Sequence, residues 1–176
     1  MRSLMSARLE LRKIVPADLD DLVALDSDPL VMKFINGGEP TPRAAYLRKD
    51  GLLSRMCAWS DEPFGYFSAG FEGRFAGWFH LRPSVADASM HELGYRLRRE
   101  FWGLGLATEG SRRLCRLAFE ELEQAEVDAC AMPENEASIA VMKKCGMRYV
   151  GEFTHPRAPV EVVRYLCTRE EFEASG

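Results

Sequence analysis

The sequence contains little that could bind a metal ion, a nucleic acid or a membrane. Its three histidines form no His-x-x-x-His pair, and its five cysteines are scattered without the paired spacing of metal ligands. The formal net charge of −4 provides no basic surface for nucleic acid or anionic lipid. No apolar run is long enough to cross a bilayer, and residues 1–13 lack the apolar core of a secretory signal. We therefore expect a cytoplasmic protein that needs no metal, nucleic-acid partner or membrane and keeps its cysteines reduced.

The composition is that of a globular protein with an ample core. Hydrophobic residues make up 47% of the 176 residues, and the 28% that are charged carry both signs. A chain of this length and composition is typical of one domain, with no room for a second of ordinary size. We expect a single domain over residues 1–176.

The stretch from residue 90 to residue 122 organises the chain as a short strand, a glycine loop and a long helix. Side chains alternate from residue 91 to residue 98, which predicts a strand with one polar face. The polar positions are Glu92, Gly94, Arg96 and Arg98. After Gly105 the period becomes helical. The predicted helical stripe is Ala107, Ser111, Leu114, Ala118 and Leu122.

Glycines between a strand and a helix suggest a site for an anion. They let the backbone approach a ligand, and the first N–H groups of the helix point outward. A pyrophosphate would suit this site, and an ordinary tight turn is the alternative. No Gly-Lys-Ser or Gly-Lys-Thr follows, which argues against a P-loop. Gly103-Leu104-Gly105 begins a dinucleotide-binding pattern with Asp128 downstream, although Thr108 stands in place of the third glycine.

The flanking segments alternate between strand and helix patterns. Residues 8–14 predict a first strand, after which Pro16, Pro29 and Pro42 open helices; the last runs towards Met56. Aromatic-rich runs at 63–72 and 74–83 predict a hairpin around Gly73. Later patterns predict strands at 126–131, 148–154 and 160–168 and a helix that Gly146 ends. Trp59, Trp78 and Phe79 could line a pocket or belong to the core.

Two partial motifs and the opening of the chain resemble one family. The segment Trp102-Gly103-Leu104-Gly105-Leu106-Ala107 is similar to the acyl-CoA loop of the GNAT acetyltransferases in its last four positions. With Thr108-Glu109 it looks like the loop of the RimJ/RimL branch, the ribosomal-protein N-terminal acetyltransferases. The segment from Asn135 to Met147 resembles the family's Asn-x-x-Ser/Ala helix, which closes in Lys-x-Gly-Phe, with Met147 in place of Phe. Arg8-Leu9-x-Leu11-Arg12 matches the usual first strand of the branch.

This resemblance implies a fold, a cofactor and a set of cofactor-binding residues. The fold is α/β (α+β), with a central mixed, mostly antiparallel and splayed β-sheet flanked by helices. The cosubstrate is acetyl-CoA, whose pantetheine arm lies along the strand before the loop and whose pyrophosphate meets the loop N–H groups, without a metal. The implied residues are Tyr95, Leu97, Gly103, Leu104, Gly105, Leu106, Ala107, Thr108, Asn135 and Ser138.

Acetyl transfer to an amine needs a neutral nucleophile, donors to the carbonyl oxygen and a proton for the departing thiolate. Glu92, on the polar face of the central strand, is the predicted base, and a salt bridge to Arg96 or to another strand is its alternative role. Many family members use a tyrosine as the acid, but Met142 stands at that position. Ser138 is therefore the predicted acid, with capping or packing as its alternative. Tyr165 and His155 are further candidates.

We predict an N-acetyltransferase that moves an acetyl group from acetyl-CoA to a primary amine by direct attack. The acceptor is a protein N-terminal α-amine or a small-molecule amine. A non-catalytic acyl-CoA-binding module and a dinucleotide-binding oxidoreductase are the alternatives. Exposed strand edges are compatible with a homodimer.

Overall fold

A computed structural model describes residues 3–176, which form eight strands and seven α-helices. The strands are β1 (Leu4–Met5), β2 (Leu9–Lys13), β3 (Gly65–Phe71), β4 (Arg74–Pro83), β5 (His91–Leu97), β6 (Glu126–Ala131), β7 (Arg148–Thr154) and β8 (Glu161–Thr168). The helices are α1 (Leu19–Leu25), α2 (Pro29–Asn36), α3 (Arg43–Leu47), α4 (Leu52–Cys57), α5 (Leu106–Arg116), α6 (Glu136–Lys144) and α7 (Arg169–Ala174). None of these helices is both long and apolar enough to span a membrane.

The strands form one mixed sheet in the order β1-β2-β3-β4-β5-β6-β8-β7. β5 and β6 pair in parallel, whereas β1 with β2, β2 with β3, β6 with β8 and β7 with β8 are antiparallel. This confirms the predicted fold class, a mixed and mostly antiparallel sheet flanked by helices.

The described chain forms two compact units. Unit 1 holds the residues from 3 to 80 together with Tyr95–Gly110, and unit 2 holds Leu81–Gly94 and Ser111–Gly176. Strands β4 and β5 and helix α5 therefore each contribute residues to both units. The single domain over 1–176 stays a prediction.

Unit 1 has an apolar core to which its early helices and β4 contribute, and β2 buries one of its faces. Along β2, Leu9 and Leu11 are fully buried while Glu10 and Arg12 are exposed, which is the alternation of a strand with one buried face. The core residues are Ile14, Leu22, Leu25, Tyr46, Met56 and Trp78. Trp78 and Phe79 are buried, which supports their core role over a pocket role.

Two turns in unit 1 separate neighbouring elements, β3 from β4 and α3 from α4. Glu72 and Gly73 both have positive φ, at 50° and 73°, and form the tight turn of the predicted β3–β4 hairpin. The prediction of one helix from Pro42 towards Met56 is wrong, because the chain forms two short helices there, α3 and α4. Gly51 lies at the break, where an added Cβ would come within 2.6 to 2.8 Å of three backbone carbonyl oxygens.

Unit 2 follows the predicted order and adds one helix. β6 and β7 have the predicted bounds, and Gly146, with φ of 79°, follows α6 in the left-handed conformation. α7 was not predicted; it begins with a capping box in which Thr168 accepts from the Glu171 N–H and Glu171 accepts from the Thr168 N–H. The long helix after the glycine loop ends earlier than predicted, since α5 passes into a π-helical turn, Leu117–Glu121.

Candidate active site

The glycine loop in unit 1 presents free backbone at the start of a helix. Gly103 and Gly105 have φ of 75° and 79°, in the left-handed region, and α5 begins directly after them at Leu106. Apart from its two chain neighbours, no residue of the described chain has an atom within 4 Å of a Cβ built on Gly103, so the loop has open space there. The first N–H groups of any α-helix lack intrahelical acceptors, and these face an exposed loop. The loop can therefore hold an anion such as a pyrophosphate.

Two contacts fix this loop on the rest of unit 1. The Trp102 indole Nε1 donates to the Leu97 carbonyl oxygen at 2.9 Å, which ties the loop to the end of β5. The Glu109 carboxylate, in the first turn of α5, accepts from Ser6 Oγ and the Arg8 N–H, both at 2.6 Å, and from Arg8 Nε at 2.7 Å. Although burial raises the pKa of Glu109, these three donors lower it below the ordinary value.

Two further glycines let the backbone and helix of unit 1 pack closely. A Cβ on Gly110 would lie 2.3 Å from the Phe79 ring, so only glycine allows α5 to approach β4 this closely. A Cβ on Gly77 would lie 2.1 Å from the Arg96 carbonyl oxygen on β5. The close approach of these elements holds the strand that carries Tyr95 and Leu97. The Tyr95 ring packs on Phe79 with centroids 5.7 Å apart, and Leu97 is buried.

Asp26 is a buried carboxylate of unit 1 that binds Arg96 of β5. Asp26, 1% exposed, accepts from Tyr46 Oη at 2.6 Å and from Arg96 Nη1 at 2.5 Å. The Arg96 guanidinium lies 5.0 Å from the Trp78 ring centroid. Burial, with Asp26 adding to it, raises the pKa of Tyr46 well above its ordinary value. Arg96 is thus engaged by Asp26.

In unit 2, the parallel pairing of β5 with β6 covers only two positions. His91 lies opposite Val127, and Glu92 lies opposite Asp128, after which the register ends. In the described part of the chain this parallel pairing ends at Glu92 and Asp128, and we call this end of the pairing the fork. The two carboxylates occupy the last paired position before the fork.

Glu92 is held by a neighbouring strand. Its Oε1 accepts from Arg82 Nη2 on β4 at 2.8 Å, with 8% of the Arg82 side chain and 7% of the Glu92 side chain exposed. Its Oε2 accepts from the Val85 N–H at 3.3 Å. The structure thus confirms the ion pair to another strand that the sequence left open. The role of Glu92 as a base stays a prediction.

Asp128 is the second acid at the fork and was missed as a candidate for acid–base chemistry. Its Oδ2 accepts from Ser84 Oγ at 2.8 Å and from Arg164 Nε at 2.7 Å, while its buried Oδ1 has no hydrogen-bond partner within the described residues. Burial raises the pKa of Asp128 above its ordinary value; Ser84 and Arg164 lower it by less, and Glu92 adds to the rise. The available signal was a carboxylate between the apolar residues Val127 and Ala129 of a short predicted strand.

The start of α6, also in unit 2, carries the second sequence motif. Asn135 is the N-cap, and its Oδ1 accepts from the Ser138 N–H at 3.2 Å. Ser138 is half-buried in the first turn, and Met142, at the position of the family's tyrosine, is 6% exposed. The capping contact accounts for Asn135 but not for the serine, because the donor is the backbone N–H of residue 138. The predicted cofactor and acid roles of these two residues remain predictions.

The remaining candidates from the sequence, Tyr165 and His155, lie on β8 and in the loop that precedes it. Tyr165 is buried on β8 and meets Tyr149 edge-on at 5.8 Å. His155 lies in the loop between β7 and β8, where burial lowers its pKa, partly offset by Glu92. A cleft of about 370 Å³ opens beside this loop, and Arg164 lies in its lining. Across residues 3–176, no group of three or more His, Cys, Asp or Glu residues is arranged to hold a metal ion.

Known proteins share both the sequence pattern and the fold. The profile of the family described as "Acetyltransferase (GNAT) domain" matches residues 8–148. The FsC-acetyl coenzyme A-N(2)-transacetylase of Aspergillus fumigatus is 37% identical over 183 residues, covering 97% of this chain and 77% of that protein.

Solved structures show the same fold at lower identity. The ribosomal α-N-protein acetyltransferase RimL in complex with coenzyme A is 16% identical with a TM-score of 0.76, over 95% of this chain and 98% of that one. The aminoglycoside acetyltransferase AAC(6')-Ib in complex with coenzyme A is 19% identical with a TM-score of 0.77, over 94% and 98% of the two chains.

The family match covers the glycine loop and the Asn135 helix, the two segments in which the sequence carried its motifs. It selects an acyltransferase over the two alternatives, a non-catalytic binding module and a dinucleotide-binding oxidoreductase. The chain belongs to the GNAT acetyltransferase family and is an acyltransferase enzyme.

Proposed function

We propose that this enzyme transfers an acetyl group from acetyl-CoA to a primary amine by direct nucleophilic attack. The observation that carries the proposal is the exposed loop from Gly103 to Gly105, whose left-handed glycines open onto the N-terminus of α5. That geometry suits a pyrophosphate, the group that acetyl-CoA would bring. Membership of the GNAT family supports acetyl-CoA as the donor.

The loop and the adjoining strand supply the cofactor-binding groups of unit 1. The N–H groups of residues 103 to 108 bind the pyrophosphate, and the backbone groups of Tyr95 and Leu97 bind the pantetheine arm. The Leu97 carbonyl already accepts from the Trp102 indole, and a carbonyl oxygen has a second lone pair for the cofactor. Trp102 thereby positions the loop on the strand that holds the cofactor arm.

The groups of unit 2 supply cofactor contacts and proton transfer. Asn135 uses its Oδ1 to cap α6, so we assign its amide nitrogen to the cofactor arm. The Ser138 hydroxyl donates to the departing sulfur. The acid pair of Glu92 and Asp128 accepts the proton that the amine loses, because an ammonium has no lone pair with which to attack.

The acceptor we place first is an amine on a small molecule. The name of the Aspergillus relative gives acetyl coenzyme A as its donor and N(2) as the position acetylated, and that relative aligns with 97% of this chain. A protein N-terminal α-amine, the acceptor of the RimJ/RimL branch, is the second candidate. RimL shares the fold at 16% identity, which leaves its substrate a weaker guide.

The test is release of free CoA thiol from acetyl-CoA across a panel of amines. The panel contains amino acids, polyamines, aminoglycosides and peptides beginning with Ser, Ala or Met. We expect thiol release with at least one small-molecule amine. Thiol release with peptides alone would favour the protein N-terminus, and no acetyl-CoA binding by calorimetry would contradict the proposal.

A serine variant separates the proposed acid from the cofactor groups. Ser138→Ala should lower kcat, since the thiolate loses its proton donor, while calorimetry shows unchanged affinity for CoA. Loss of CoA affinity together with kcat would instead assign Ser138 to binding. The cytoplasmic location and the homodimer stay predictions, the second of which sedimentation of the purified protein would test.

A further inference from the structure

The two acids at the fork differ in how fully their carboxylate oxygens are bonded. Both Glu92 oxygens accept hydrogen bonds, one of them from a buried guanidinium. Both donors to Asp128 reach its Oδ2, which leaves Oδ1 buried and without a partner among residues 3–176. A buried carboxylate oxygen without a donor destabilises the folded protein, because it has lost its hydrogen bonds to water. Such a group needs a reason, and a proton or an amine N–H that arrives with substrate would supply one.

The position of Asp128 also gives it a route to a substrate. Arg164, whose Nε binds Asp128 Oδ2, lies in the lining of the 370 Å³ cleft of unit 2. Glu152 and Phe153 of β7, Val85, Ala86 and Pro156 also line this cleft. A molecule in the cleft would meet Arg164, whose Nε is hydrogen-bonded to Asp128.

We propose that Asp128 is the catalytic base of the acid pair: its Oδ1 takes the proton of the incoming amine, and Glu92 is a positioning residue that supplies a fixed neighbouring charge. This inference rests on the proposed acetyl transfer. The ammonium gives one proton to Asp128, and the amine nitrogen then forms a bond to the acetyl carbonyl carbon. The C–S bond breaks with its electron pair on sulfur, the Ser138 hydroxyl gives its proton to that thiolate and takes the second amine proton in its place, and Asp128 returns its proton to solvent.

The charges around Asp128 favour a base rather than an inert ion-pair partner. The groups that face it are Glu92 on β5, Arg164 on β8, Ser84 in the β4–β5 turn and Cys130 on its own strand, while Arg82 on β4 neutralises Glu92. Burial raises the pKa of Asp128, so it holds a proton more readily than an exposed aspartate would. A higher proton affinity brings the base closer to the pH at which it works.

The main experiment compares Asp128→Asn with Glu92→Gln, using the amine that responds in the thiol-release assay. Asp128→Asn should lower kcat by about 10²- to 10⁴-fold, the usual contribution of a general base, with little change in CoA affinity. Glu92→Gln should retain more activity than Asp128→Asn. Full activity in Asp128→Asn, or a greater loss in Glu92→Gln, would overturn the assignment. A wild-type enzyme that releases no thiol with any amine would overturn the proposed function as well.

The pH profile supplies a readout that a purely structural role would not change. The acidic limb of kcat/KM should reflect Asp128, so Ser84→Ala, which removes a donor to Oδ2, should move that limb to higher pH. Glu92→Gln should move it to lower pH. Ser89→Ala, in the same turn but bonded to Asp87, is the matched control and should leave the limb in place. This comparison tests the proposal even if the Asp128→Asn variant fails to fold. An unchanged acidic limb of the kcat/KM profile in Ser84→Ala would overturn the proposal.

Discussion

The glycine loop of unit 1 and the acid pair of unit 2 are built in opposite ways. The loop is a contiguous segment of exposed backbone, with Gly103 and Gly105 in a conformation that few other residues adopt. The acid pair, Glu92 and Asp128, is buried. Its side-chain partners include Arg82, Ser84 and Arg164, and the five residues come from four separate segments. A site made of backbone depends on glycine at two positions, whereas a site made of charges depends on every charge having its partner.

The largest effect we expect comes from breaking the charge balance of unit 2. Arg82→Met leaves the Glu92 carboxylate buried without its cation, and removal of one partner of a buried pair costs about 3 to 5 kcal/mol in free energy of unfolding. Urea unfolding followed by circular dichroism measures this change. Because Arg82→Met/Glu92→Leu removes both charges, the double variant should recover much of the loss.

An exposed ion pair is the control for that experiment. Arg43 and Asp20 pair at the surface, with 52% and 85% of their side chains exposed. Arg43→Met should cost no more than about 1 kcal/mol, as exposed pairs do. Equal losses in Arg43→Met and Arg82→Met would contradict the distinction between a buried and an exposed charge.

A smaller loss of stability should follow from overpacking the contact between α5 and β4. Gly110→Ala places a methyl group 2.3 Å from the Phe79 ring, and such overpacking costs roughly 1 to 3 kcal/mol. Gly70→Ala is the control, because its Cβ would meet only Glu10 at 3.8 Å, an ordinary contact. Thermal unfolding of the two variants should therefore separate them, and equal melting temperatures would refute the packing argument.

The smallest change in stability, and the one specific to the cofactor, should come from the glycine loop. Gly103 and Gly37 have φ of 75° and 81°, and neither has an atom within 4 Å of an added Cβ. Gly103→Ala and Gly37→Ala should each cost about 1 to 2 kcal/mol for the left-handed conformation. Only Gly103→Ala should weaken acetyl-CoA binding in calorimetry, since only that loop opens a helix proposed to hold pyrophosphate. Equal acetyl-CoA affinities of the two variants would show that the loop is not part of the acetyl-CoA site.

The difference between the two regions also explains what the sequence could predict. The glycine loop, its strand and its helix are neighbours in the chain, so local periodicity and a short motif were enough to predict them. The acid pair was only half predicted, because Glu92 meets Asp128 through a parallel pairing and Asp128 meets Arg164 through the β6–β8 register. No local pattern contains either pairing.

Two helix errors have different causes, and only one of these causes was visible in the sequence. The capping box of Thr168 and Glu171 marks the start of α7, and the pattern Thr-x-x-Glu was present but unused. The break between α3 and α4 depends on Gly51, whose missing Cβ matters only because three carbonyl oxygens surround it in the fold. The first signal is visible in the chain, and the second exists only after the chain has folded.

The measurement that tests the account most directly follows both products of one reaction. Wild-type enzyme is incubated with acetyl-CoA and the amine that responds in the panel, and free CoA thiol and acetylated amine are quantified together over time. The account predicts that the two appear in equal amounts and that neither appears without enzyme. Thiol release without acetylated amine, which is hydrolysis, would contradict acetyl transfer to an amine as the function of this protein.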